Sequence, residues 1–77
     1  MKLHIQSTTK IVHLNGLPAR VWEGTTESGI PVHCFVTRVA VADGLNHEEF
    51  ERELAEQAAP SAEIQAIPLR MIILGMR

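Results

Sequence analysis

A chain of 77 residues is expected to form one domain, because domains run to roughly 100–150 residues and two halves would each be too small to hold a core. Hydrophobic residues make up 45% and charged residues 21%, globular usage that excludes disordered, collagenous and low-complexity classes. The net charge of −2 lacks the basic excess that phosphate neutralisation requires and argues against nucleic acid as a partner.

Leu3, Ile5 and Ser7 alternate with Lys2, His4, Gln6 and Thr8, a period of two that predicts a strand with one wet face. Residues 10–14 are β-branched and apolar, and either continue that strand or form their own before Asn15-Gly16, a dipeptide suited to a tight turn with positive φ. Leu17-Pro18 is held extended by the proline ring, and a strand over 19–23 follows. Residues 24–29 are polar and bracketed by glycines, which predicts a hairpin loop. Pro31 stands near the start of the next strand, where a missing donor is tolerated.

Residues 32–41 carry apolar side chains on both faces. Val32, Cys34, Val36, Arg38 and Ala40 alternate with His33, Phe35, Thr37, Val39 and Val41. Such a strand is expected in the middle of a sheet, covered on both sides. Asp43-Gly44 ends it. Asn46 is a predicted helix N-cap, with Glu49 completing a capping box and Leu45 packing on Phe50 as a staple. Phe50, Leu54 and Ala58 form one apolar stripe, and Pro60 stops the helix near Ala59. Residues 61–74 return to β-type composition, with Ile64, Ala66 and Ile67 ahead of a last strand over 69–74. No internal repeat or linker interrupts this order.

The predicted fold class is therefore α+β. A small antiparallel sheet of four or five strands carries one helix in the order β-β-β-α-β. One helix covers one side of residues 32–41, and the other side needs a cover of its own. Homo-oligomerisation supplies it, with Val32, Phe35, Val36 and Val39 as the expected interface; a sheet curled into a small barrel is the alternative. A core this small rarely supplies more than about 3–5 kcal/mol, which also favours self-association.

Most chemistry can be set aside by spacing. His4, His13, His33, His47 and Cys34 lack the short paired spacing of zinc sites, so no metal and no cofactor is expected. A single cysteine permits no internal disulfide and predicts a reducing cytoplasm. Cys34 between Val32 and Val36 lacks the electropositive setting of a nucleophile. No nucleophile elbow or Walker-type glycine loop occurs, and the glycines of 24–29 lack the lysine of a phosphate cradle, so no enzyme is expected, a small enzyme using His33 or Cys34 being the lesser alternative. The longest apolar stretch is broken by Arg70, far short of the about 20 residues that span a bilayer, and residues 1–10 lack the apolar run of a secretory signal. Glu48, Glu49, Glu51, Glu53 and Glu56 make the helix acidic. That face is read as solvated, or as a surface for a basic partner, and the first-turn acids favour the helix dipole.

Arg20, Trp22 and Arg38 form the candidate binding set. Arg20 and Trp22 share a strand face, and Arg38 interrupts an apolar one. An arginine in such a place pairs with a carboxylate, here Glu23, Glu27 or Glu63, or meets an anion, and a tryptophan beside it stacks.

The stretch 9–37, with Asn15-Gly16-Leu17-Pro18-Ala19-Arg20-Val21-Trp22-Glu23-Gly24 and Gly29-Ile30-Pro31-Val32-His33, resembles small bacteriophage- and prophage-encoded proteins. Ala59-Pro60-Ser61 and Ala66-Ile67-Pro68-Leu69-Arg70 extend the resemblance over most of the chain. It implies a non-catalytic accessory protein in the cytoplasm of the host cell, acting by binding. Its target would be a host defence or regulatory protein, or a small anionic signal molecule. A structural or assembly subunit of a phage particle is the alternative.

Overall fold

The structure, a computed structural model, describes residues 1–42 and 44–72. Asp43, Ile73 and Leu74, expected in a turn and in the last strand, lie outside the described residues.

The α+β fold is built on a four-stranded sheet. Strands β1 (Leu3–Leu14), β2 (Leu17–Thr26) and β3 (Pro31–Val36) follow one another, then helices α1 (His47–Leu54) and α2 (Ala62–Gln65), and last the two-residue strand β4 (Arg70–Met71). The spatial order is β3-β2-β1-β4. The sheet is mixed: β1 and β2, and β2 and β3, run antiparallel, whereas β4 runs parallel to β1.

Residues 3–14 form one strand, joined to β2 at Asn15-Gly16, whose φ values of 50° and 85° suit the tight primed turn that matches strand twist. Between Ser7↔Trp22 and Ile11↔Arg20 the register shifts, so β1 carries extra residues in a bulge. Thr8, inside the bulge, is wholly buried. Its hydroxyl donates to the Val21 carbonyl at 2.7 Å and accepts from the Lys10 amide at 3.2 Å. A buried hydroxyl with both roles filled makes the irregularity tolerable.

The β2–β3 hairpin closes through Gly29, at φ 91°, with Thr26 N donating to Ile30 O at 2.9 Å and Gly29 N to Thr26 O at 3.0 Å. The strand expected over 32–41 ends at Val36 and occupies an edge of the sheet, not its centre. Its two apolar faces do find neighbours, but Phe35 packs on the core while Val36 and Val39 border a groove on the other side. Periodicity locates the apolar positions, not the point where the chain leaves the sheet.

Helix α1 begins after Asn46 as expected, preceded by a 3-10 turn at Gly44–Asn46. The capping box and staple do not form: the Asn46 side chain makes no capping hydrogen bond, and Leu45 is 93% exposed. The helix ends at Leu54 rather than near Ala59, because the chain turns extended and Ala58 pairs with β1. Ala58 N donates to Ser7 O at 2.9 Å, and Thr9 N to Ala58 O at 3.1 Å. Those bonds cover the outer side of β1, a site that otherwise leaves donors unpaired. No α1 residue is buried, so the Phe50 stripe is not the core.

That role falls to α2, in a segment whose composition reads as β-type ahead of the last strand. Ser61 takes an extended conformation and its hydroxyl accepts from Ile64 N, a side-chain cap that starts a helical turn directly after Pro60. Ile64 is fully buried with Val12, Ala19 and Val21, and Leu14, Phe35 and Ile67 pack around them. Further along, His13 N donates to Leu69 O at 2.7 Å and Asn15 N to Met71 O at 2.8 Å, which places β4. Residues 55–61 thus carry the chain past the β1 edge, from α1 on one side of the sheet to α2 on the other. Among the described residues no helix is long and apolar enough to cross a membrane.

Candidate functional site

Strand alternation sends Ala19, Val21 and Glu23 to the face that α2 covers and Arg20 and Trp22 to the opposite face. There a groove of about 690 Å³ runs between the sheet and α1, a size within the usual range of ligand sites. Arg20 and Trp22 form its floor together with Ile11, Val36 stands at one side, and Arg38 and Val39 follow just beyond the end of β3. Glu51 and Leu54 of α1, with Ala55 just after its end, form the facing wall. The three residues singled out as a binding set, Arg20, Trp22 and Arg38, all line this one groove.

The arginines are not consumed by the structural pairing weighed above. Arg20 is half-buried and donates through Nη1 to the Thr8 carbonyl at 2.9 Å, which anchors it over the bulge. Arg38 is exposed. Among the described residues neither has a carboxylate within ion-pairing distance. The three acids proposed as partners are engaged elsewhere. Glu27 lies 4.0 Å from Lys2 Nζ, and Glu63 lies 3.9 Å from His33 Nε2. Glu23 accepts from Ser61 N at 2.9 Å and Ser61 Oγ at 2.7 Å. The Ser61 amide, then its hydroxyl, hold the Glu23 carboxyl below its ordinary value of 4.5; burial opposes them weakly and His33 adds a further small lowering.

The residues expected at an oligomer interface separate. Val36 and Val39 border the groove. Val32 pairs with Gly24 on that same side of the sheet, whereas Phe35 pairs with Val21 on the opposite side and packs against the core. His33 and Cys34, adjacent on β3, face opposite sides, and among the described residues no three His, Cys, Asp or Glu side chains converge as a metal site would require. Glu51 and Leu54 belong to the site although the sequence reading placed them on a solvated face and in a core stripe. Helical spacing groups side chains on one helix but does not say which sheet residues they meet.

Comparison with known proteins finds no matching family model, no matching curated protein and no matching solved structure.

Proposed function

We propose that this chain is a non-catalytic binding protein that takes a small anionic ligand into the groove between the sheet and α1. The observation that carries this is the presence in one groove of two arginines that have no carboxylate partner among the described residues, beside the single tryptophan of the chain. Guanidinium groups supply paired donors for a phosphate or carboxylate, and the indole offers a face for a planar or apolar moiety. Arg20, fixed by its bond to Thr8 O, is pre-set to meet an anion with little loss of side-chain freedom. Sequestration of a small anionic signal fits the resemblance to phage-encoded proteins and would place the protein in the host cytoplasm, acting without a cofactor.

Native mass spectrometry of protein purified from its natural host should reveal a bound anion of low mass. Arg38→Ala is the clean test, since Arg38 is exposed and holds no fold contact described above. Its loss should weaken that ligand by about 10–100-fold, the worth of a charge-assisted hydrogen bond, with an unchanged thermal midpoint. Trp22 fluorescence follows the titration. Undiminished binding by Arg38→Ala and by Arg20→Ala together would end the groove reading.

We also propose that the protein works as a homo-oligomer. Only four hydrophobic side chains form the buried core among the described residues, while Ile11, Leu17, Val39, Leu54, Leu69 and Ile72 are each 36% exposed or more. Val32→Lys with Val36→Lys, on the groove side, should then yield a folded species of lower mass. Phe35→Lys should unfold, because a charge would enter the core. A parent that sediments as a monomer at micromolar concentration removes the oligomer, and open-ended growth in light scattering favours an assembly subunit instead.

A further inference from the structure

We propose that Glu23, His33, Ser61 and Glu63 form an acid-sensitive latch that holds α2 on the sheet independently of the strand ladders. Glu23 on β2 and His33 on β3 are direct cross-strand partners on the face that α2 covers. The two oxygens of the Glu23 carboxylate take the amide and the hydroxyl of Ser61. The same Ser61 hydroxyl accepts from Ile64 N at 3.4 Å. One carboxylate is thereby connected through one serine to the residue that fills the core. From the other side, Glu63 of α2 reaches back to within 3.9 Å of His33 Nε2. His33 thus lies between carboxylates on β2 and α2.

The remaining neighbours do not compensate. On β1 the residue opposite Glu23 is Gln6, which is uncharged. The other tie of α2 to the sheet, from Lys10 Nζ to Gln65 O at 3.3 Å, involves no acid. Protonation of Glu23 leaves one oxygen of the pair as a hydroxyl that cannot accept as before, so one of the two bonds to Ser61 is lost. Since the carboxyl of Glu23 is held below 4.5, its contribution is complete above that value and is lost as the pH falls through the lowered one. The β1–β2–β3 ladders contain no carboxyl bonds, so α2 lets go while the sheet persists, and Val12, Ala19 and Val21 become accessible.

The test is amide hydrogen exchange of the parent chain between pH 7 and pH 3, each rate corrected for its intrinsic pH dependence. The amides of Gln65 and Ala66, which donate to Ser61 O and Ala62 O, should lose about three- to tenfold of their protection below pH 4.5. The β1–β2 amides should keep theirs in that interval. In Glu23→Gln the α2 amides should show low protection already at pH 7 and lose the acid step. His33→Gln keeps the Ser61 bonds and should move the step to higher pH, which keeps the proposal testable if Glu23→Gln does not fold. Loss of protection in α2 and the ladders at one pH overturns the latch, as does an unchanged acid step in both variants. Either outcome leaves the groove reading untouched.

Discussion

Replacing Gly24 by alanine is expected to abolish the fold. In a strand interior this exchange ordinarily helps by about 0.5–1 kcal/mol, because glycine gives up more backbone freedom on folding. Here a Cβ at position 24 would collide with the carbonyl oxygen of His4 and stand 2.8 Å from the Cα of Ile5. Both atoms are backbone, so no side chain can swing aside. Gly24 faces Ile5 across β1–β2 and Val32 across β2–β3, and relief of the clash must part β2 from β1 near the middle of the sheet. Forced overpacking costs about 1–3 kcal/mol and more when backbone has to move. A core of this size holds only about 3–5 kcal/mol. Thermal unfolding followed by circular dichroism should show no cooperative transition for Gly24→Ala at 25 °C. Gly16→Ala is the control. Nothing lies within 4 Å of a Cβ there, but the residue sits at φ 85°, so a lowered midpoint with the fold retained is expected. A parent-like midpoint for Gly24→Ala would mean that the two strands do not approach this closely.

Ile64→Ala should remove about 2–5 kcal/mol, the usual loss when a buried aliphatic side chain is truncated and leaves a cavity. Among the described residues Ile64 is the largest of the fully buried side chains, and it comes from a helix of four residues. No other α2 side chain is buried, so α2 has nothing else of that kind to hold it on Val12, Ala19 and Val21. A state in which α2 has left the sheet, with exposed apolar surface that binds a hydrophobic dye, is the expected result. By side-chain size alone, Phe50→Ala is the larger truncation. Because Phe50 is only half-buried on a helix with no buried residue, its loss should be about 1 kcal/mol, the ordinary scale for a partly exposed site. Denaturant midpoints of the two variants decide the matter, and a larger shift for Phe50→Ala would relocate the core to α1.

These two predictions mark where reading the residues stopped being enough. The β1–β2 turn was legible because Asn15-Gly16 meets its conformational requirement locally. The start of α1 after Asn46 was legible from the residue type at that position, although the capping bond and the staple read with it do not form. The shared face of Arg20 and Trp22 follows from the period of two along a strand, whatever that strand packs against. Each of these depends on residues a few positions apart.

The placement of Arg38 in the same groove, the end of α1 at Leu54 and the choice of Ile64 over Phe50 were decided by the tertiary structure. Ser7 Oγ donates to Glu56 O across 49 positions of sequence, and Ser61 reaches Glu23 across 38. Bonds of that reach end one helix and start another at places where local propensity indicates a longer helix and then a strand. Helix propensity differs by less than about 1 kcal/mol per residue between ordinary side chains. Long-range hydrogen bonds and burial of one isoleucine outweigh it, so the sequence by itself determined the turns and the alternation of faces, and packing determined which faces met.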